Sequence, residues 1–521
     1  MARILVTEKL TAKALETMAA AGHDVDVRLG LSPEQLLAAV VGVNALVIRS
    51  ATTVTAEVLA AGSDLVVVGR AGIGLDNVDV KVATERGVMV VNAPQSNVVS
   101  AAEQAMALLL AQARNVPQAH TSVLAGKWER SKWEGVELYG KTLGVIGLGQ
   151  VGALVAKRAL AFGMRLVAYD PFVPAERARH IGVELTGIEE LLGESDFVTI
   201  HVPKNAATLG LLGSDLLAKA KPGLRIINTS RGGVVDEVAL ADAIRSGRVQ
   251  GAGLDVFAKE PPGPSPLFEF ETVVVSPHLG ASTAEAQDKA GITIAEQINL
   301  ALAGDFPPFA VNVAAGDGSD SVRSFRSLAE RLGRILSLLN EELPGVIEIE
   351  CQGDFAGTGT GILTLSVLKG ALEAALRAPV SDVAAPQVAA ERGLVVREVP
   401  SGAVHDFPNL VTLHCKNHAV SGTLTAPRGE PRLVMADDHW VEIPLAPYML
   451  IVRYENCPGM VGVMGTVLGD AEVSIQSLVS GPSARDETTL TVLSIDRRLP
   501  DNVLAQLQRV AGIIDVHALE I

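Results

Sequence analysis

The run from Leu143 to Gly152, LGVIGLGQVG, leaves this chain few folds to choose from. Leu143 to Ile146 read as a buried strand, and Gly147, Gly149 and Gly152 follow at G-x-G-x-x-G spacing. Ala153, Leu154, Val155, Ala156 and Leu160 then read as a helix. In such a turn the first glycine permits the tight bend, the second lets a pyrophosphate approach the backbone, and the third lets helix and strand pack closely. The helix start, at Gln150 and Val151, offers unpaired N–H groups and the positive end of the helix dipole to phosphates. A second strand, Arg165 to Tyr169, ends in Asp170, where an acid accepts hydrogen bonds from an adenosine ribose. A carboxylate there repels a 2′-phosphate, so NAD is expected rather than NADP. The glycine spacing alone is a weak signal; strand, turn, helix, strand and terminal acid together are a strong one.

At 521 residues the chain has room for about three or four domains of roughly 150 residues each. Apolar residues make up 48%, enough for large cores, yet aromatics are only 3%. Small and aliphatic side chains in such excess suit sheets sandwiched between helices. A net charge of −16 argues against a nucleic-acid surface, which needs clustered cations. It leaves room for a local cationic pocket that takes a small anion. Three cysteines, Cys351, Cys415 and Cys457, are too few and too scattered for a disulfide framework or a zinc site, so no metal is expected. No apolar run reaches about 18 residues, so no membrane span is expected. Residues 1–6 enter a strand directly, without the pattern of a signal peptide, and a cytoplasmic protein is expected.

In order, strands at 2–7, 24–27, 45–48, 65–68 and 88–91 alternate with helices, one of them opened by Ser32-Pro33. That rhythm predicts a parallel, wound sheet whose ligands sit beyond the carboxyl ends of its strands. Arg49, Arg70 and the turn at Gly72 and Ile73 fall there. A helix from Ser100 to about Arg114 leads into a second wound sheet, with strands at 143–146, 165–169, 195–201, 223–229, 251–257 and 272–276. Helix 283–303 returns to the first sheet. The expected division is therefore 1–98 with 286–312 as an outer domain and 99–285 as an inserted nucleotide domain. Gly316 to Ser319 marks a boundary, and 318–446 form an α+β unit. Residues 448–521 read β-α-β-β-α-β, the ferredoxin-like order. Gly357 to Gly361 reads as a turn. Between two tryptophans, Gly126 to Trp133 carries cations, including Arg130 and Lys132. It reads either as a solvated loop or as a contact with a sister subunit or substrate.

Three side chains sit just past strand ends of the nucleotide domain: Arg231, Glu260 and His278. Oxidising a carbinol needs a base for the hydroxyl proton, a cation for the neighbouring carboxylate and a nicotinamide for the hydride. Imidazole suits the first task, a carboxylate can hold its second nitrogen, and a guanidinium offers paired donors to a carboxylate. Residue type alone leaves open a structural histidine and a plain ion pair.

The motifs GLGQVG (147–152) with Asp170, NTSRGGVVDE (228–237), GAGLDVFAKEPP (251–262) and PHLGAST (277–283) resemble those of the NAD-dependent D-2-hydroxyacid dehydrogenase family. IRSAT (48–52), GRAGIGLDNVD (69–79), GKWERSKWEG (126–135) and the long C-terminal extension are similar to its branch acting on a phosphorylated 2-hydroxy acid. The resemblance implies oxidation of 3-phospho-D-glycerate to 3-phosphohydroxypyruvate, at the entry to L-serine synthesis, by Arg231, Glu260 and His278. It also implies that His201, Thr229, Ser230, Asp255 and Gly280 join the glycine turn and Asp170 around NAD. Substrate contacts would come from Arg49, Arg70, Gly72 and Ile73, with Arg130 or Lys132 near the phosphate, from the same chain or from a neighbouring subunit, and the enzyme would be a homo-oligomer, dimer or tetramer. A reductase of hydroxypyruvate or glyoxylate and an NAD(H)-sensing binding protein are the alternatives within the same family.

The C-terminal unit resembles ACT domains, which bind amino acids between subunits. The implied effector contacts are Tyr454, Asn456 and Ser474. Asn456 stands where an Asp is frequent and would pair an ammonium. Ser381 to Pro386 likewise departs from an asparagine-containing pattern of the extension. The other reading is that both C-terminal domains chiefly assemble the oligomer.

Overall fold

The computed structural model describes residues 1–313, 320–340, 343, 345–353, 359–399, 407–416, 418–425, 429–483 and 485–521. The boundary expected at Gly316 to Ser319 and the first two residues of the turn from Gly357 lie outside the described residues.

Five short strands form the first sheet: β1 (Arg3–Val6), β2 (Asp24–Val27), β3 (Ala45–Ile48), β4 (Val67–Arg70) and β5 (Met89–Val91). Their order is β2-β1-β3-β4-β5, all parallel. Ile4, Leu5, Val6 and the whole of β3 are fully buried, as strands covered by helices on both faces must be. Helix Pro33–Ala39 starts where the sequence says. The amide of Gln35 donates to Ser32 Oγ and the Gln35 side chain accepts from the Ser32 amide, a capping box.

The second sheet contains β6 (Thr142–Ile146), β7 (Arg165–Tyr169), β8 (Glu184–Leu185), β9 (Phe197–Ile200), β10 (Leu224–Asn228), β11 (Val249–Leu254) and β12 (Val273–Val275). The order β12-β11-β10-β9-β6-β7-β8 is that of a doubly wound nucleotide sheet. Helix Ala284–Ala303, capped by Thr283 and ended at left-handed Gly304, crosses back to bury Ile294 and Ile298 with the first sheet's core. Helix Val116–Leu124 is absent from the sequence reading. It starts anew after left-handed Asn115, with Pro117 in its first turn, where the lost amide needs no partner.

Beyond, β13 (Val346–Gly353), β14 (Val395–Val399), β15 (Asn409–Cys415), β16 (His418–Thr425), β17 (Glu430–Ala436) and β18 (His439–Pro444) make a mostly antiparallel sheet, in the order β14-β13-β15-β16-β17-β18. Helices Arg326–Leu339 and Gly361–Leu376 pack on it. The last unit has β19 (Tyr448–Glu455), β20 (Ile475–Pro482), β21 (Thr488–Ile495) and β22 (Ile513–Glu520), in the antiparallel order β20-β21-β19-β22 with two helices. That is the ferredoxin-like arrangement. Among the described residues no helix is long and apolar enough to cross a membrane.

Candidate active site

In the nucleotide sheet the strand order reverses between β6 and β9, and the crevice beyond their carboxyl ends is the place for a ligand. Gly147 follows β6 at φ 90°. A Cβ on Gly152 would overlap the carbonyl of Gly147, so that glycine lets helix Gln150–Ala161 sit against the turn. Around the missing Cβ of Gly149 nothing lies within 4 Å, leaving an open approach to the helix start. Asp170, at the end of β7, accepts from the amides of Leu148 (2.8 Å) and Phe172 (2.9 Å), which fix its carboxylate beside the glycine turn.

His201 follows β9, and its Nε2 lies 2.9 Å from Thr199 Oγ1. Desolvation pushes its pKa down to about 4, so the ring is neutral at neutral pH. At the end of β10, Asn228 accepts from both the amide and the hydroxyl of Ser230 and donates to the carbonyl of Arg231, which shapes the turn. Among the described residues the buried Thr229 Oγ1 has no partner. An open glycine, a free helix start, an oriented acid, a neutral histidine and an orphaned hydroxyl along one crevice fit a dinucleotide.

His278 follows β12. Its Nδ1 lies 2.6 Å from Glu260 Oε2, and the other Glu260 oxygen accepts from the amide of Phe257 at 3.0 Å. His278 adopts φ 52°, a left-handed conformation costly for a residue with a Cβ. The turn around it is held by Asp255. Asp255 was expected at the cofactor, yet it is completely buried and turned to the protein. Its carboxylate accepts from Ser276 Oγ (2.6 Å) and the amides of Leu279 and Gly280 (2.8 Å each), and the Gly280 amide is thereby committed too.

Arg231 reaches across to the outer domain, with Nε 3.3 Å from Asp76 Oδ2 and Nη1 donating to the Ser230 carbonyl at 2.7 Å. Arg70, at the end of β4, faces it. Burial, and then the charge of Arg231, lower the pKa of Arg70, and among the described residues its Nε has no partner. Two guanidiniums that share the single carboxylate of Asp76, one of them with a buried donor unfilled, suit an anionic ligand. The Gly72 amide was expected to hold that anion but donates to the Arg70 carbonyl at 2.8 Å, closing a tight turn. Asn92 steadies the next residue by donating to the Ile73 carbonyl at 2.7 Å. Arg49 is anchored by its amide to Glu8 (2.8 Å) and by its carbonyl to Asn77 (2.7 Å). Glu8, Asn77, Asn92, Asn228 and Ser276 escape the sequence reading as site-shaping residues, because their partners are set by the fold; only Asn77 and Asn228 lie in motifs that could have pointed to them.

Lys132 pairs with Glu271 at 2.9 Å and lies over the Trp133 ring. Glu271 precedes β12, whereas His278 follows it. The 126–135 segment of a chain therefore sits at the wrong end of the sheet to serve that chain's own substrate, and neither Arg130 nor Lys132 joins the site. Nor do the three effector positions meet. Tyr454 is buried in β19 with its hydroxyl on Thr491 (3.1 Å). Asn456 follows β19 beside Glu487, and Ser474 precedes β20 beside Asp496, so they lie at opposite ends of β21.

Residues 106–280 match the NAD-binding domain of the D-isomer specific 2-hydroxyacid dehydrogenases, and 321–437 match the intervening domain of D-3-phosphoglycerate dehydrogenase. The chain is 45% identical over 525 residues to D-3-phosphoglycerate dehydrogenase of Mycobacterium tuberculosis H37Rv, covering 99% of this chain and 98% of that one. The enzyme of the same name from Synechocystis is 41% identical, over 100% of this chain and 95% of its own length. Among solved structures, the TT0316 protein of Thermus thermophilus superposes with a TM-score of 0.55 at 36% identity, over 59% of this chain and 99% of that one. NAD-dependent formate dehydrogenase of Staphylococcus aureus in complex with NAD superposes with a TM-score of 0.53 at 27% identity, over 58% and 96%.

Proposed function

The chain belongs to the D-3-phosphoglycerate dehydrogenases, a branch of the D-isomer specific 2-hydroxyacid dehydrogenases, and from that premise we propose how its residues divide the reaction. It is an NAD-dependent oxidoreductase that converts 3-phospho-D-glycerate to 3-phosphohydroxypyruvate, the opening step of L-serine synthesis. His278 takes the C2 hydroxyl proton on Nε2. The 2.6 Å contact at Nδ1 carries this assignment, since a carboxylate accepting Nδ1–H leaves the lone pair on Nε2 and steadies the imidazolium that forms. Arg231 holds the substrate carboxylate and polarises the carbonyl that develops at C2. Arg70 adds a second charge and the Ile73 amide a backbone donor, the Gly72 amide being spent on its own turn.

The crevice between β6 and β9 holds NAD, which supplies the hydride acceptor. Gly147, Gly149, Gln150, Val151 and Gly152 cradle the pyrophosphate, and Asp170 takes the adenosine ribose. His201, Thr229 and Ser230 line the nicotinamide side. Asp255 and Gly280 act through the turn that carries His278 rather than on the cofactor.

We assign 1–98 with 286–312 to the substrate side, 99–285 to NAD, 318–446 to an intervening unit and 448–521 to a regulatory ACT unit. The enzyme is a homo-oligomer in this reading: Trp128 and Tyr139 are each 79% exposed, and Val116, Val123 and Leu124 are exposed as well. Arg130 and Lys132 reach a substrate only from a second copy, and an effector touches both Asn456 and Ser474 only across two ACT units. Three unpaired cysteines are in keeping with the cytoplasm. The test is NADH formation with 3-phosphoglycerate, D-glycerate and D-lactate. The highest kcat/KM should fall on 3-phosphoglycerate; equal or better turnover of the unphosphorylated acids rejects the substrate, and no turnover of any rejects the enzyme.

A further inference from the structure

Beyond the residues assigned above, we infer that Asp76 of the outer domain is a positioning residue, which holds Arg231 of the nucleotide domain by Nε and so leaves Nη2 for the substrate carboxylate. The inference rests on the functional reading of the preceding section and deepens it, by naming what aims its guanidinium. Asp76 follows β4 of the first sheet and Arg231 follows β10 of the second, so the pair joins the two domains.

Three contacts place the guanidinium. Nε lies 3.3 Å from Asp76 Oδ2. Nη1 donates to the Ser230 carbonyl at 2.7 Å. Nη2 lies over Gly74, where a Cβ would overlap both that nitrogen and Asp76 Oδ2. The N–H groups of arginine share one rigid plane, so engaging Nε and Nη1 sets the direction of the third nitrogen. Among the described residues Nη2 has no hydrogen-bond partner. Gly74 directly follows Ile73, so the free nitrogen is brought beside the backbone donor assigned to the carboxylate.

Arg70 supplies the reason for an acid at this point. Burial, and then the charge of Arg231, make Arg70 harder to keep protonated, and the charge of Asp76 works the other way. Among the described residues Asp76 is the only acid in an ion pair with either guanidinium. Without it two like charges face each other, and the long Arg231 side chain relieves the repulsion by turning out of the cleft. Asp76 is largely exposed, and an exposed pair adds little to the stability of a fold. Its use is geometric, so its loss can be read in catalysis with the fold intact.

The experiment compares Asp76→Asn, Asp76→Glu, Gly74→Ala, Arg231→Lys and the double variant Arg231→Lys with Asp76→Asn against the wild type on 3-phosphoglycerate, with NADH titration and thermal midpoint as checks on folding. Asp76→Asn should lower kcat/KM roughly tenfold to a hundredfold, the range for a misplaced group at a reacting centre. Both a lower kcat and a higher KM should contribute, because one guanidinium grips the carboxylate and polarises the C2 oxygen. Asp76→Glu keeps the charge and should recover most of the loss. Gly74→Ala displaces Nη2 without removing a charge and should show the same kinetic pattern as Asp76→Asn. Arg231→Lys has no Nε–H, so adding Asp76→Asn to it should cost no more than a few-fold further. NADH affinity and thermal midpoint should stay at wild-type values in Asp76→Asn. An unchanged kcat/KM in Asp76→Asn, or a loss that adds in full to that of Arg231→Lys, overturns the inference. So does a lower KM at constant kcat, which would make Asp76 a competitor of the substrate, and so does a kinetic loss matched by a fall in NADH affinity and midpoint. An Arg231→Lys enzyme with wild-type kinetics overturns the role of Arg231 in the functional reading, and this inference with it.

Discussion

The amide of His278 donates to the carbonyl of Asp255 at 2.9 Å, tying the proposed base to the end of the neighbouring strand. The Asp255 side chain holds the same turn through Ser276, Leu279 and Gly280, and Gln104 adds a bond to Ser276 at 2.9 Å. The left-handed backbone of His278 persists because these bonds over-determine it. Asp255→Ala leaves the Leu279 amide and the buried Gly280 amide unpaired, at about 1–3 kcal/mol each. The thermal midpoint should fall and kcat should drop by about a hundredfold or more, as a misplaced base does. Ser276→Ala, which removes one donor, should cost far less; equal effects from the two would show that the turn does not depend on Asp255.

Glu260 touches His278 and no substrate atom, so its loss should appear in kcat and not in KM. Glu260→Gln preserves the shape, but its single oxygen accepts either from the Phe257 amide or from Nδ1, not both. It offers Nδ1 either a neutral acceptor or a donor, and so loses the charge that steadies the imidazolium. A fall in kcat of about 10²–10⁴ is expected, the range for impaired acid–base catalysis. Steady-state kinetics with 3-phosphoglycerate checks it, and a rise in KM at constant kcat would mean that Glu260 only shapes the binding site.

His201 gives the nucleotide domain an acid sensitivity. Its pKa is lowered from 6.5 to about 4 by desolvation, so between those values the unfolded chain binds a proton that the folded chain refuses. Stability is therefore full above 6.5 and falls as pH drops through that window. The total at the acid end is about 3 kcal/mol. His201→Gln keeps a partner for Thr199 and removes the titration. The urea midpoints of wild type and variant, measured at pH 7.5 and 4.5, should shift relative to each other in favour of the variant at the lower pH. A parallel fall in both would assign the acid sensitivity to other groups.

How much of this could be read from residues alone depends on the range of the interaction. Both wound sheets were legible because alternating strands and helices are local patterns, and the glycine turn, Asp170 and the trio lie at fixed offsets from strand ends. Helix Val116–Leu124 was hidden because Asn115 and Pro117 look like breakers, and here one ends a helix and the other starts the next. The role of Asp255 was hidden because its partner Gln104 lies 151 residues away. Tyr454 was misplaced by one alternation of the strand: a residue near the end of β19 still faces the core when its parity is inward. The position of Lys132 depends on which end of β12 faces which loop, and that follows from the order of the whole sheet.

The glycine turn allows folding and binding to be separated within four residues. At Gly152 a methyl group would overlap the carbonyl of Gly147, backbone that cannot step aside without moving β6 from its helix. At Gly149 nothing lies within 4 Å, and its φ of −70° suits any residue, so a methyl group there meets neither protein nor strain. It meets only what approaches from outside, the pyrophosphate. Gly149→Ala should therefore keep the wild-type thermal midpoint and weaken NADH binding by roughly tenfold or more, since the close approach of phosphate to the helix start is what that glycine permits. Gly152→Ala should lower the midpoint as well, with overpacking worth about 1–3 kcal/mol. Fluorescence titration of NADH and thermal melts on the two variants check the contrast. Undiminished NADH binding in a folded Gly149→Ala would mean that the dinucleotide does not pass over this turn.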